Sequence, residues 1–312
     1  MTGANPTTPG AAPAVRRTGA VGGKAYARRG KYLLFAAPAL ILIALVIVFP
    51  WAFTLYMSFN DWTIGGAQPV MNFPANYVKL ASDERFFEAV LRTLYYTALA
   101  VIVPVVAGMA AAVVFHNRFP LRGLARGIFI LPMMATPSAI ALVWKMMFHV
   151  EYGVLNYLLD LAGIPPFTWV FAANTVIPSL VLVEVWQWTP LIMIIVLGGL
   201  AALPTEPYES ALIDGANPWQ LFRHITWPLV LPFLMVAVMI RTIDALKAFD
   251  TIFVISEGGP GTASETINIF LYLQAFAFLH IGYASAVVVV FFAIIVIASL
   301  GLVYLRQRTV WT

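Results

Sequence analysis

Apolar residues in this chain come in long unbroken runs, not in the alternating or two-faced patterns of soluble elements. Six runs approach or exceed the roughly 20 residues that cross a bilayer's hydrocarbon core. They lie at about 32–58, 90–114, 127–148, 177–198, 229–250 and 282–305. The stretch Val287 to Val290 is β-branched, but runs of this length without alternation predict helices, since barrel strands alternate. The first and last runs, carrying Leu45-Val46-Ile47-Val48-Phe49 and Val287 to Phe292, suit direct contact with lipid. The third, fourth and fifth contain polar residues, which predicts that they face protein or a water-filled cavity. The pattern predicts an all-α polytopic membrane protein with six transmembrane helices. Two connections, 59–89 and 149–176, have room for short interfacial helices; Val154 to Leu159, followed by Gly163-Ile164-Pro165-Pro166, reads as one with its stop signal. No internal repeat is evident, nor the paired broken helices of inverted-repeat transporters.

Composition narrows the class further. Hydrophobic residues make up 61% of the chain and charged residues 10%, against about 45–50% and about 25% in soluble domains. So few charges cannot cover a water-facing surface. Residues 1–30 are rich in Gly, Ala, Pro and Thr and predict a disordered cytoplasmic tail ahead of a transmembrane domain at 31–312. The apolar run that follows is too long for a signal-peptide core and reads as an uncleaved first span. The chain has no cysteine, and His116, His149, His224 and His280 form no ligand-spaced pair, so no metal site is expected. The net charge of +4 forms no basic stripe interleaved with aromatics, which argues against nucleic-acid binding.

The basic residues instead mark topology. Twelve of the eighteen fall on one side: Arg16, Arg17, Lys24, Arg28, Arg29 and Lys31 in the tail, Arg118, Arg122 and Arg126 between spans two and three, Arg223 between four and five, and Arg306 and Arg308 at the end. The opposite connections are acidic, with Asp61, Asp83, Glu84, Glu88, Glu151, Asp160, Glu257 and Glu265. Both termini are therefore expected in the cytoplasm, in agreement with an even number of spans.

The cytoplasmic loop 204–228 carries the most local information. Thr205 is placed to cap a first short helix, with Glu206 and Glu209 at its positive end. Gly215 can take the left-handed conformation that ends it. Asn217 then caps a second helix with Pro218 at its first position, and Pro228 and Pro232 mark the return to the membrane. Tyr208, Ala211, Leu212, Phe222 and Ile225 exceed what a solvated loop needs. Such a hairpin either lies on the bilayer or docks into a groove on a partner, and a fixed turn with small residues favours docking.

This segment resembles the EAA loop of permease subunits in binding-protein-dependent ABC importers. That pattern runs Glu-Ala-Ala, three residues, Gly, nine residues, Ile, one residue, Leu-Pro. Here Glu209-Ser210-Ala211 is followed at the same spacing by Gly215, Ile225 and Trp227-Pro228. Ser210 and Trp227 depart from it. Ile213-Asp214-Gly215-Ala216 is similar to the carbohydrate branch. Arg241 to Asp250, leading into Glu257-Gly258-Gly259-Pro260-Gly261 and Thr266, resembles the fifth-span region of maltose/glycerol-phosphate type permeases, and Trp186-Gln187-Trp188-Thr189-Pro190 before Leu200-Ala201-Ala202-Leu203-Pro204 is a third match. The resemblance covers about 30–305, with a family core at about 86–305.

The resemblance implies a subunit of the bacterial cytoplasmic membrane that forms half of a pore for a sugar or polyol. It implies a second permease subunit, in this branch a heterodimer, and two ATPase subunits below the membrane. It also implies a periplasmic or lipid-anchored binding protein outside. The chain itself would bind no cofactor, ATP and Mg being used by the ATPases; it has no Gly-x-x-x-x-Gly-Lys-Ser/Thr loop. ATPase coupling would fall on Glu209, Ser210, Ala211, Asp214, Gly215, Ile225 and Pro228. Glu209 suits a charge-assisted contact with an ATPase or stabilisation of its own helix end.

Lys145, Glu184, Arg241, Asp244 and Lys247 lie in or near spans, where a bare charge costs about 3 kcal/mol. Arg241, Asp244 and Lys247, spaced by three, share a helix face and can bridge one another, either as a structural ladder or as a polar wall of the path. Glu184 beside Trp186 and Trp188 has the residue types of a sugar site, although tryptophans in membrane proteins also serve as interfacial anchors. Phe249 and Asp250 are further path candidates at the outer end. The absence of an external Arg/Lys cluster weighs against a highly anionic solute. An ion-gradient-driven secondary transporter, with Asp244 and Glu184 as ion sites, is the alternative; it leaves the Gly-turn loop unexplained.

Overall fold

The computed structural model describes residues 35–308 and Gly3. Apart from Gly3, the tail expected at 1–30, with its basic residues and Lys31, lies outside the described residues, as do the last four positions. The chain divides into two units, 1–53 and 54–312. Most of the first apolar helix, α1 (Phe35–Ser58), belongs to the first unit. Its Leu45, Val46, Ile47, Val48 and Phe49 are all exposed, as a lipid-facing span requires.

In the second unit a two-residue ladder, β1 (Asn60–Asp61) antiparallel to β2 (Val70–Met71), precedes a series of helices. These are α2 (Ala75–Ala81), α3 (Glu84–His116), α4 (Arg122–Met134), α5 (Pro137–Met147), α6 (Val154–Leu161), α7 (Val176–Ala201), α8 (Glu206–Ile213), α9 (Pro218–Leu246), α10 (Asp250–Ser256), α11 (Ile267–Ala277) and α12 (Ile281–Gln307). The helices α1, α3, α7, α9 and α12 are long and apolar enough to cross a membrane. The two connections with room for short helices hold α2 and α6, with Gly163 at φ +70 just after α6.

The third expected span is not one rod. The run 127–148 divides into α4 and α5, bent by 96° across a short break. The cause is local. Thr136 precedes Pro137 and is held extended (φ −66, ψ 138), because a residue before proline is crowded out of the helical region. Gln187 of α7 donates to the Ala135 carbonyl at 3.4 Å, which lies at the break. One bent pair is thus present where the sequence suggested a straight span, and it has no second copy among the described residues.

The fifth expected span, 229–250, is also displaced. Its helix begins at Pro218 and ends at Leu246. The second helix of the 204–228 hairpin and the span are therefore continuous. Pro228 lacks an N–H and crowds the carbonyl one turn back, which would normally break such a helix. The turn before it opens instead into a π-turn, Phe222–Thr226, closed by the Trp227 N–H to the Phe222 carbonyl. Phe249 and Asp250 accordingly sit at the start of a separate short helix, α10, and do not close the fifth span.

The core forms where α7 packs against α3 and α9. Met109 and Ala112 of α3, Ile192, Met193 and Val196 of α7, and Val230, Leu234 and Ala237 of α9 bury one another. A Cβ on Gly108 would lie 2.7 Å from the Ile192 side chain and 3.0 Å from the Thr189 carbonyl, so α3 and α7 approach to glycine distance. In the most apolar stretch of α7, 56% of residues are buried, against 17% in α12. The polar-bearing span is thus enclosed by protein and the purely apolar one is left for lipid, as their sequences predict. At the acidic end, Asp83 caps α3 by accepting from the Phe86 N–H at 3.2 Å, and its other oxygen accepts from the Tyr283 hydroxyl at 2.5 Å. Arg85 forks onto the buried Glu265 at 2.8 and 2.9 Å.

Candidate functional site

Two places gather the candidate residues. The first is the hairpin of α8 and the start of α9. The chain leaves α8 through Asp214, with Gly215 at φ +80. The Gly215 N–H bonds the Leu212 carbonyl at 3.1 Å and the Ala216 N–H bonds the Ala211 carbonyl at 2.9 Å, the paired pattern of a Schellman stop. Nothing lies within 4 Å of where a Gly215 Cβ would point, so the constraint is backbone conformation and not space. Two residues later Asn217 and Gln220 form a reciprocal capping box at 2.9 and 2.8 Å, with Pro218 at the first position. Thr205 departs from expectation: it occupies the cap position of α8 with helical dihedrals, and its side chain makes no capping bond. Its carbonyl takes the Tyr208 and Glu209 N–H groups instead.

The two arms are tied by the Tyr208 hydroxyl, 3.1 Å from Thr226 Oγ1. Tyr208, Ala211, Phe222 and Ile225 are half-buried between them. Glu209, Ser210, Asp214, Gly215 and Pro228 are exposed. The tip is apolar and uncovered: Leu212 is 60% exposed, Ile213 87% and Trp219 64%. Trp219 is not among the sequence candidates and Ile213 enters there only within the Ile213 to Ala216 match; the exposure of both is set by the geometry of the turn.

The second place is a buried ionic cluster. Arg241 of α9 is fully buried and pairs with Glu184 of α7 at 2.8 Å and with Asp244, one turn on, at 2.5 Å. Nη2, which holds Glu184, also donates to the Ala100 carbonyl of α3 at 3.3 Å, so the arginine joins three helices. Its guanidinium also lies over the Trp188 ring, 5.0 Å from the centroid. The ladder expected from the spacing of three is thus only half present. Lys247 is exposed at the end of α9 and makes no ion pair among the described residues; Arg241 has instead a second carboxylate, that of Glu184, 57 residues away in sequence. Asp244 is half-exposed and forms the cluster's open edge. Tyr96 and Gln187, not among the path candidates, are buried in the same helices, and Gln187 Oε1 has no hydrogen-bond partner among the described residues. Their only signal in the sequence is a polar group inside an apolar run.

The remaining candidates are spread out. Trp186 faces away from the cluster and meets Trp144 edge-on at 5.8 Å. Phe249 stacks on Phe253 at 5.0 Å and packs against Tyr272, while Asp250 is exposed beside it. Lys145 pairs across helices with Glu257 at 3.7 Å. Among the described residues no group of three or more His, Asp or Glu side chains is placed to hold a metal ion.

Residues 104–311 match the family of binding-protein-dependent transport system inner membrane components. Among relatives, the trehalose/maltose transport system permease protein MalF of Thermococcus litoralis is 31% identical over 88% of this chain and 92% of its own. The sulfoquinovosyl glycerol transport system permease protein SmoG of Agrobacterium fabrum is 32% identical over 88% of this chain and 89% of its own. Among solved structures, a bacterial alginate ABC transporter in complex with an alginate pentasaccharide-bound periplasmic protein includes a chain that superposes with a TM-score of 0.79. It is 20% identical, over 93% of this chain and 98% of that one.

Proposed function

Because the chain belongs to the family of binding-protein-dependent transport system inner membrane components, we propose that it forms half of the pore of an ATP-binding-cassette importer for a sugar or polyol, driven through the α8–α9 hairpin. It is a multi-pass inner-membrane protein, by family and by its apolar helices. The observation that carries the coupling role is the uncovered apolar tip, Leu212 and Ile213, on a hairpin fixed by Gly215 and the Asn217 box. A rigid, exposed apolar knob suits a cleft on a partner. Since α9 runs unbroken from the turn to Leu246, a push on the tip reaches Arg241 without a flexible joint. The partners in this reading are two ATPase subunits, which use ATP and Mg, a second related permease and an external binding protein.

The saccharide assignment rests on the relatives' substrates, trehalose/maltose and sulfoquinovosyl glycerol, and on the chemistry of the buried cluster. Asp244 offers carboxylate oxygens to sugar hydroxyls, and Trp188 offers an aromatic face. Glu184 is engaged by Arg241 and serves to hold it. Ion-gradient transport gives the hairpin no task.

The test is Gly215→Asp in the complete importer. Aspartate is strained at φ +80, so the turn moves while the membrane part is untouched. Uptake is abolished with the subunit still present in the membrane; normal uptake at full expression would refute the coupling role.

A further inference from the structure

A groove of about 760 Å3 opens where the end of α3 meets α4 and α7, apart from both places described above. Arg118, Arg122 and Arg126 line one side. Arg122 and Arg126 are one turn apart on α4, and Arg118 stands in the loop before it. Among the described residues none of the three pairs with a carboxylate. Their bonds go to neutral backbone carbonyls: Arg122 to those of His116 and Asn117 at 3.3 Å, and Arg126 to that of Phe115 at 3.2 Å. The Nε of Arg126 is buried with no partner at all. The groove therefore concentrates three positive charges without a counter-ion.

The facing wall is apolar, formed by Ile130 of α4 with Ile194 and Leu197 of α7. A Cβ on Gly198 would meet nothing within 4 Å, so the wall is open there. A free phosphate has no use for such a wall, and a water-soluble acidic segment would not reach residues of two apolar membrane helices. A phospholipid carries both chemistries in one molecule. We propose that this groove binds an anionic phospholipid, with the head-group phosphate on Arg118, Arg122 and Arg126 and an acyl chain along Ile130, Ile194 and Leu197. Guanidiniums fork onto phosphate oxygens, and basic pockets between membrane helices are suited to anionic head groups. His116 and Ala201 line this groove and also a neighbouring cavity of about 490 Å3 at the foot of α8, so the bound lipid braces the base of the hairpin. The site depends neither on the substrate nor on which way the chain faces.

The test uses the assembled importer in nanodiscs, with lipid retention read by native mass spectrometry and affinity by titration of phosphatidylglycerol against phosphatidylcholine. Phosphatidylglycerol is retained preferentially by the wild type. The combined Arg118→Gln, Arg122→Gln and Arg126→Gln variant weakens it about a hundredfold. Gly198→Trp keeps every charge, fills the wall and also lowers retention, so a misfolded triple variant would not leave the matter open. Equal retention of the two lipids, or unchanged retention in both variants, overturns the proposal. So does a short cross-link from Arg118→Cys to an ATPase subunit seated in the groove.

Discussion

Arg241 is the largest of the fully buried side chains among the described residues. It has no access to water, and its charge is answered by Glu184, Asp244 and the Ala100 carbonyl. Removing one partner of a buried pair leaves an uncompensated charge and costs about 3–5 kcal/mol, whereas an exposed pair contributes about 0–1 kcal/mol. The three members should therefore differ sharply. Arg241→Leu strands Glu184 and loses the most stability. Glu184→Leu loses less, since Arg241 keeps Asp244. Asp244→Asn, at the half-exposed edge, stays within about 1 kcal/mol of wild type. Thermal unfolding of the purified importer in detergent ranks the three; an Asp244→Asn loss equal to that of Arg241→Leu would contradict the geometry. The same residues show what a sequence conceals. Spacing put Arg241, Asp244 and Lys247 on one face, and the first pair formed. Nothing local indicated that Arg241 would also take Glu184, because that contact depends on how α7 packs against α9.

At the scale of elements the hairpin was the most legible part of the chain. Gly215, Asn217 and Pro218 each act through their own backbone or the next turn, so their roles follow from short-range chemistry and hold in the structure. Thr205 obeyed the same rules on paper but adopts helical dihedrals, which turn its hydroxyl away from the cap. The bend in the third span and the shifted bounds of the fifth share one cause. An apolar run states that a segment is in the membrane, and says nothing of whether it is straight. Thr136-Pro137 breaks α4 from α5, while Pro228 is absorbed by a π-turn and α9 continues. These outcomes separate the two functions of the hairpin. Asn217→Ala removes the box and should weaken the start of α9 by about 1 kcal/mol. Amide exchange at Gln220 should then quicken about fivefold, with uptake largely kept because the turn and tip are intact. Exchange as slow as in the wild type would show that the box contributes nothing to the stiffness of the arm.

For the whole molecule the remaining question is which end meets which compartment. The bias of Lys and Arg predicts a cytoplasmic hairpin, and the proposed coupling role requires it, because ATP is there. The chain has no cysteine, so single replacements report position without background. Ala67 lies exposed between β1 and β2, on the acidic side, and Ile213 stands at the hairpin tip. A membrane-impermeant maleimide should label Ala67→Cys in intact cells and Ile213→Cys only in inverted vesicles. Adding the ATPase subunits should then protect Ile213→Cys, since an apolar side chain left 87% exposed in the lone chain is the part that a partner must cover. Labelling of Ile213→Cys from outside the cell would reverse the orientation and remove the lever from its source of energy. Labelling from inside that the ATPases leave undiminished would keep the orientation but move the contact elsewhere on the hairpin, to Trp219 or to the exposed face of Glu209 and Asp214.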